Sequence, residues 1–312
     1  MKRILITGGF GFLGQRFVQH FQSRNLEVMV LEHPNTLKPR NFPDCEVYRA
    51  DITSEASLNQ IDIKAVDAVL HLAAQSSGPR SFTIPVQDVN INILGTLNTI
   101  NFCLRNQIER LLFASSFVIY GDHPERETLD EETPFRPKSV YASSKLACEH
   151  LLMNYAEPKG LKWNALRLFN VYGQGQDITK PDQGVAGIFM NMLLQGDVIQ
   201  IKGSLDRFRD LISIDDVIRG WDLCLHGTAY NQSFNLGTGK KTTYLELIQT
   251  LARILKKEDR LVIDELPGTP GDMKGCVADI SKIHSLLDFI PNVALEDGLH
   301  LMLDWVKQGV LV

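Results

Sequence analysis

Short apolar runs without alternation recur along the first half of the chain, separated by stretches of helical periodicity. The apolar runs cover residues 3–7, 27–31, 66–72, 110–115 and 163–168. The helical patterns cover residues 12–24, 85–105 and 140–155. Continuous apolar runs are typical of strands that are covered on both faces. Strands that alternate with helices predict right-handed crossovers, and therefore an α/β fold built on a doubly wound parallel sheet.

The second half of the chain has weaker periodicity. Residues 173–187 are rich in Gly, Gln, Asp and Pro, which predicts a long loop. Thr243 and Glu246 form a capping-box pattern that opens a predicted helix over 244–255. A last amphipathic helix is predicted over 295–306.

These patterns predict two units of unequal size. We expect a ligand-binding first domain over residues 1–168 and a smaller C-terminal lobe over 169–312. Segments near 210–215 and 233–237 are expected to return to the first domain as strands. The lobe should lie over the carboxyl ends of the strands, because open α/β sheets bind their ligands there.

Composition excludes several classes of function. The chain has 312 residues, is 44% hydrophobic and has a net charge of −5, so we expect a soluble protein and no nucleic-acid partner. Its five cysteines are scattered with no C-x-x-C pair, which favours reduced thiols in a cytoplasmic setting and no metal site. No signal-peptide pattern or long apolar run predicts a membrane association.

A glycine-rich turn follows the first predicted strand. Gly8, Gly11 and Gly14 form a G-x-x-G-x-x-G pattern, and Phe12 and Leu13 begin the next helix. Such a turn brings backbone N–H groups and the positive end of a helix to a pyrophosphate. The alternative is a purely structural turn, but its place at the first strand–helix junction favours a bound dinucleotide.

An acidic residue ends the second predicted strand. Glu32 stands 18 residues after Gly14, where a carboxylate can bind ribose hydroxyls and would repel a 2′-phosphate. We therefore predict NAD rather than NADP, with a surface glutamate as the alternative. Asp51 and Ile52, after the third predicted strand, are expected near the adenine.

Tyr141 and Lys145 form a Y-x-x-x-K pair, which places both side chains on one helix face. A nearby ammonium favours the phenolate and suits the tyrosine to act as a base. Ser116, 25 residues earlier at a strand end, can bind the same substrate hydroxyl. Ser115 is expected beside the cofactor. The alternative for Ser115 and Ser116 is that they are only small residues that pack there.

Taken together, these features resemble the extended short-chain dehydrogenases, in particular the NAD-dependent epimerase/dehydratase family. That resemblance implies a Rossmann fold, bound NAD and a nucleotide-diphosphate sugar substrate. It implies further cofactor contacts from the residues of the H-L-A-A and N-x-x-G-T motifs and from an aromatic residue: Leu72, Ala73, Ala74, Asn92 and Phe169. It also implies substrate contacts from Ser116, Asn170, Arg209 and Cys276.

The same resemblance implies a reaction. Family members pass hydride from a sugar carbon to NAD after the tyrosine takes the hydroxyl proton, giving a 4-keto sugar. Dehydratases and decarboxylases have an acidic residue just after the active-site Ser/Thr, whereas Phe117 and Val118 stand here. The segment is more similar to that of 4-epimerases, which have no net redox change and retain NAD.

Two positions depart from the family pattern. Thr269 stands where the substrate-side arginine of R-x-G-D is expected, with Gly271 and Asp272 following, so diphosphate binding must differ or the nucleotide is not uridine. Cys276 stands where hexose epimerases have a bulky tyrosine. A smaller side chain leaves room for an N-acetyl group, and the alternative is a buried apolar thiol.

Other functions on the same fold stay open. A 4-keto-sugar-nucleotide reductase or dehydrogenase would consume NAD(P)(H), and a non-catalytic NAD-binding sensor would not need Ser116, Tyr141 or Lys145. By resemblance we also expect a homodimer formed through helices near 85–105 and 140–155.

Overall fold

The chain folds around a parallel sheet, seen in a computed structural model that describes residues 1–63, 65–182, 184–268 and 274–308. The strands are β1 Arg3–Thr7, β2 Glu27–Glu32, β3 Glu46–Arg49, β4 Ala68–His71, β5 Arg110–Ser116, β6 Thr128–Leu129, β7 Lys162–Leu168, β8 Asn170–Tyr172, β9 Val198–Lys202, β10 Phe208–Arg209, β11 Leu211–Ser213, β12 Gln232–Leu236, β13 Thr242–Thr243, β14 Val262–Leu266 and β15 Val277–Ala278. The positions of Thr269, Gly271 and Asp272 in the R-x-G-D-like segment lie outside the described residues.

Helices cover the sheet and build the C-terminal lobe. They are α1 Phe12–Ser23, α2 Glu55–Asn59, α3 Gly78–Thr83, α4 Pro85–Val89, α5 Gly95–Arg105, α6 Val140–Leu151, α7 Val185–Gln195, α8 Ile214–His226, α9 Tyr244–Ile254, α10 Ser281–Leu287 and α11 Leu295–Lys307. Short 3₁₀ turns occur at Phe117–Ile119, Glu157–Lys159 and Glu258–Arg260.

The central sheet has the predicted doubly wound topology. Its strand order is β12-β7-β5-β4-β1-β2-β3, and neighbouring strands pair in parallel. The order reverses between β1 and β4, so the loops after these two strands diverge and leave a crevice at the carboxyl edge. Ligands of open α/β sheets bind at such a crevice.

Apolar layers cover both faces of the sheet. On one face Phe17, Phe21 and Trp221 join α1 and α8 to the sheet. On the other, Ile100 of α5 and Cys148 of α6 pack beside strand residues. Because both faces are covered, the strand sequences are apolar throughout rather than alternating.

The C-terminal lobe has its own apolar core, built from α7, α9 and α11. The predicted capping box at the start of α9 is present, with Thr243 and Glu246 bonded in both directions. The 233–237 segment becomes β12 in the central sheet. The segment near 210–215 instead forms β11, which pairs with β8 outside the central sheet, although Ile212 and Ile214 still reach the first domain's core. The boundary at 168/169 remains a prediction.

Two predicted helices contain π-helical turns. The 85–105 segment passes through a π turn at Asn90–Leu94, and α6 continues into a second at Leu152–Ala156. Such turns shift the faces of a helix by part of a turn and often occur at functional sites. Periodicity alone did not predict them.

A buried ion pair joins α6 to the sheet. Glu149 accepts hydrogen bonds from Arg167 Nε and Nη2 of β7, and both side chains are 5% exposed. The Ser115 and Ser233 hydroxyls also donate to this carboxylate. Removing one member of a buried pair is costly because the other charge stays buried.

We therefore expect Arg167→Met to lower the free energy of unfolding by about 3–5 kcal/mol, as measured by urea denaturation. The double variant Glu149→Leu/Arg167→Met should lose less, since no unpaired charge remains. Arg253→Met, which breaks the exposed pair with Glu296, is the control and should cost at most about 1 kcal/mol. Equal losses for Arg167→Met and Arg253→Met would contradict this account.

Candidate active site

The glycine-rich turn lies at the crevice between β1 and β4. Gly8 has a φ of +70°, and a Cβ there would stand 2.9 Å from the Ala73 backbone. A Cβ on Gly14 would stand 2.6 Å from Gly9 Cα. Helix α1 starts at Phe12 with no side-chain cap and no acidic residue in its first turn. Free N–H groups and the helix dipole therefore face the crevice, which suits a diphosphate.

A histidine fastens β4 to this turn. Thr7 Oγ1 accepts from the Leu72 and Ala73 amides, so its proton is directed to His71 Nδ1, at 2.7 Å. His71 Nε2 is then the donor toward Thr96 Oγ1, at 3.1 Å. Burial, with a smaller effect of Lys145, lowers the pKa of His71 to about 3, so the ring stays neutral.

Glu32 is buried at the end of β2, with 7% exposure. Its carboxylate accepts from the Phe10 amide inside the glycine-rich turn and from the His33 amide, each at 3.0 Å. The protein thus holds a negative charge beside the turn, where the sequence places the ribose. Each carboxylate oxygen keeps a lone pair for a ribose hydroxyl.

A cavity of about 600 Å³ is lined by His33, the residue after Glu32, by Asp51 and Thr53, and by residues of the 83–91 segment. Asp51 accepts from the Thr53 amide and hydroxyl. Ile52 packs against α5, where a Cβ on Gly95 would stand 2.6 Å from its Cδ1. The turn, Glu32 and this cavity together fit the diphosphate, ribose and adenine of a dinucleotide.

Tyr141 and Lys145 of α6 meet Ser116 of β5 in the interior. Tyr141 is 9% exposed and its hydroxyl is hydrogen-bonded to Ser116. Lys145 is 3% exposed, and its Nζ donates to the Ala114 carbonyl at 2.8 Å and lies 5.9 Å from the Tyr141 ring centroid. The predicted trio is therefore one cluster.

The electrostatics of this trio correct one expectation. The ammonium was expected to lower the pKa of Tyr141, but the pKa is raised to about 12. Burial is the largest cause, and it outweighs the hydrogen bond from Ser116. Burial also lowers the pKa of Lys145 to about 8. Both shifts have the same cause, because a dry site disfavours the phenolate of Tyr141 and the ammonium of Lys145.

Some predicted cofactor residues have other partners. Ser115 donates to Glu149 beneath the strand. Asn92 uses both amide N–H donors within the protein, toward Gln75 O and Ser144 Oγ. We expect both residues to support the site indirectly, because neither has a donor left for a cofactor. Ala74 lies half-buried in the loop that Asn92 holds.

The other predicted substrate residues, Asn170, Arg209 and Cys276, follow β7 along the chain, and the predicted cofactor residue Phe169 comes directly after that strand. Phe169 stacks on Phe117 with centroids 5.2 Å apart, and Cys276 is buried in the same apolar cluster. Asn170 Nδ2 donates to the Asp210 carbonyl at 3.3 Å. The Arg209 guanidinium lies 5.2 Å from the Tyr244 ring centroid.

The buried carboxylates to which the sequence analysis assigned no role include Asp210, Glu149 and Asp88. Asp210, with no exposure, accepts from the amides of Thr238, Gly239 and Ala278 and so joins three lobe segments. Glu149 follows Lys145 by four residues, as Lys145 follows Tyr141, so the three side chains share one helix face. This spacing is a sequence signal that Glu149 is buried with them. The third, Asp88, stands four residues before Asn92. Among the described residues, no cluster of His, Cys, Asp and Glu is arranged to hold a metal ion.

This fold and this tyrosine–lysine cluster define an extended short-chain dehydrogenase/reductase. Residues 4–237 match the NAD dependent epimerase/dehydratase family, and the chain belongs to that family. The family confirms the prediction of NAD as cofactor. Within the described residues, no helix is long and apolar enough to cross a membrane.

Relatives include more than one activity. A UDP-glucose 4-epimerase of Thermus thermophilus, solved with NAD, is 34% identical with a TM-score of 0.88, over 98% of this chain and 99% of that chain. A UDP-N-acetylglucosamine 4-epimerase of Methanobrevibacter ruminantium is 30% identical with a TM-score of 0.90, over 99% of both chains. UDP-glucuronic acid decarboxylase 6 of Arabidopsis thaliana is 29% identical over 96% of this chain and 87% of the relative.

We expect Gly14→Ala to weaken NAD binding at least about tenfold, because backbone atoms of Gly9 must move away from the new Cβ. The NAD content of the purified protein and the affinity measured by calorimetry check this. Gly196→Ala is the control, since nothing lies within 4 Å of a Cβ there. NAD binding as tight as in the wild type would show that the turn is only structural.

Proposed function

We propose that the protein is an NAD-dependent 4-epimerase of nucleotide-diphosphate sugars. The observation that supports this most is the buried cluster of Ser116, Tyr141 and Lys145 at the carboxyl end of β5, on the same edge of the sheet as the glycine-rich turn. A sensor would have no use for such a cluster, because burying the Lys145 ammonium costs stability.

Each residue has a distinct task in this proposal. Tyr141 takes the proton from the sugar 4-hydroxyl, while Ser116 hydrogen-bonds that oxygen and Lys145 stabilises the phenolate. NAD, when bound, supplies a hydride acceptor that is positively charged in its oxidised form. The substrate becomes a 4-keto sugar, receives the hydride on its other face and regains its proton from Tyr141, so no net oxidation occurs.

The residues after Ser116 favour epimerisation over elimination or decarboxylation. Phe117 stacks on Phe169, and this apolar pair stands where those reactions need an acidic group. Arg209 is the proposed partner of the diphosphate, as a planar guanidinium suits phosphate oxygens. Asn170 is the proposed contact to the sugar.

A homodimer through the helices near 85–105 and 140–155 remains part of the proposal. Phe82 and Met153 are exposed there by 63% and 47%, and a partner copy would cover these apolar side chains. The particle mass in solution, by light scattering, tests it.

With UDP-glucose, UDP-N-acetylglucosamine or UDP-glucuronate and no added NAD or NADH, we expect the purified protein to form a 4-epimer, detected by chromatography. Tyr141→Phe should lower kcat by about 10²–10⁴, because the general base is lost. Tyr155→Phe, which removes only a hydrogen bond to Asn101, is the matched control. Product that forms only when NADH or NAD is supplied would identify a reductase or dehydrogenase instead.

The small side chain of Cys276 supports a pocket that accepts an N-acetyl group. Cys276→Tyr should lower kcat/KM for UDP-N-acetylglucosamine, relative to UDP-glucose, by about tenfold or more, because the larger ring fills that space. Cys276→Ala keeps the site small and should leave the ratio unchanged. The idea fails if Cys276→Tyr, verified as folded by its melting temperature, shows the wild-type preference.

A further inference from the structure

Asp88 is a fully buried carboxylate next to the catalytic helix. It lies in α4 with no exposed surface. Its Oδ1 accepts from the Ser144 hydroxyl at 2.8 Å, and its Oδ2 accepts from Gln75 Nε2 at 2.6 Å. Ser144 directly precedes Lys145 on α6, and its hydroxyl also receives a hydrogen bond from Asn92 at 3.0 Å. Asp88 is therefore bonded to α6 between Tyr141 and Lys145.

The partners of Asp88 do not balance its charge. Serine and glutamine are neutral donors, and within the described ranges Asp88 forms no ion pair. A carboxylate buried with neutral partners alone is expensive unless a counter-charge is near. The positive charge of Lys145 also lacks a charged partner in direct contact, because its buried ammonium donates to the neutral carbonyl of Ala114.

The other charged and titratable groups around this cluster do not serve as that counter-charge. Glu149, one turn further along α6, is already paired with Arg167. His71 of β4 is neutral, and burial raises the pKa of the Cys148 thiol so that it stays protonated. Asp88 acts on both members of the pair, raising the pKa of Lys145 and that of Tyr141.

We propose that Asp88 is a positioning and charge-balancing residue of this site: it holds α6 through Ser144 and offsets the buried charge of Lys145. This inference rests on the proposed function, because it assigns Asp88 to the proton transfer at Tyr141. Asp88 keeps the ammonium in place at the cost of making the phenolate harder to form.

The sign of the effect follows from the charge. Removing a nearby negative charge favours the phenolate, so the pKa of Tyr141 falls. The active enzyme needs the phenolate, and the acidic limb of the kcat/KM profile reports its ionisation in the free holoenzyme. In Asp88→Asn this limb should move by about one unit to lower pH.

Two further variants separate charge from hydrogen bonding. Ser144→Ala removes the bond to α6 but keeps the carboxylate, so kcat should fall while the acidic limb stays within a few tenths of a unit. Asp182→Asn makes the same charge change in a carboxylate that accepts from Ser77, on the loop after β4. The acidic limb of its kcat/KM profile should also stay at the wild-type pH. An unmoved limb in Asp88→Asn, or an equal shift in Asp182→Asn, overturns the proposal.

A spectroscopic measurement keeps this test independent of turnover. The ultraviolet absorbance of tyrosinate, taken at one alkaline pH on NAD-loaded protein, is compared with that of the matching Tyr141→Phe protein. The difference gives the ionised fraction of Tyr141 alone. A larger fraction in Asp88→Asn than in the wild type supports the proposal even if no sugar nucleotide turns over, and an equal or smaller fraction refutes it.

Discussion

The structure depends on placing an ammonium in the dry interior of a parallel sheet. Lys145 must lie beside Tyr141 at the carboxyl end of β5, where apolar layers cover both faces. Desolvation there lowers its pKa to about 8, so the chain has to compensate for the buried charge. The Ala114 carbonyl and Asp88 do so locally, while Arg167 neutralises the next carboxylate, Glu149. The surroundings of Lys145 and the neighbouring Glu149–Arg167 pair together make up much of the buried polarity around α6.

The glycine-rich turn and the catalytic helix are joined by the same polar interior. Thr7, at the end of β1, is bonded through His71 to Thr96 on α5, and the bond from Thr7 needs a neutral imidazole because Nδ1 accepts it. Asn92, one turn earlier along that chain segment, bonds Ser144 on α6. The dinucleotide turn and the tyrosine are thus held relative to each other by hydrogen bonds between side chains of the protein. Supporting hydrogen bonds of this kind determine how precisely the reacting groups of a site are positioned.

The sequence predicted the sheet well because its signals are local. Apolar runs and the glycine spacing are set by covered strands and by a tight turn, so β1 has the predicted bounds and Thr243 caps α9 as expected. The roles of Ser115 and Asn92 were harder to predict. Which way a strand-end serine points, and whether an amide has donors left, depend on neighbours that are distant in sequence. Asp88 was missed because an acidic residue on a helix is usually exposed, and only the packed structure shows it buried.

The four-residue spacing of Asp88 and Asn92 explains why these polar groups converge on Ser144, because side chains at i and i+4 share one helix face. The π turn at Asn90–Leu94 begins after Asp88 and shifts the faces of the following helix α5 by part of a turn. Asp88 before it and Asn92 within it both reach the Ser144 hydroxyl, one as acceptor and one as donor. A single hydroxyl can satisfy both, since it offers one proton and two lone pairs. The helical spacing therefore brings a carboxylate and an amide to one point on the catalytic helix, directly before Lys145.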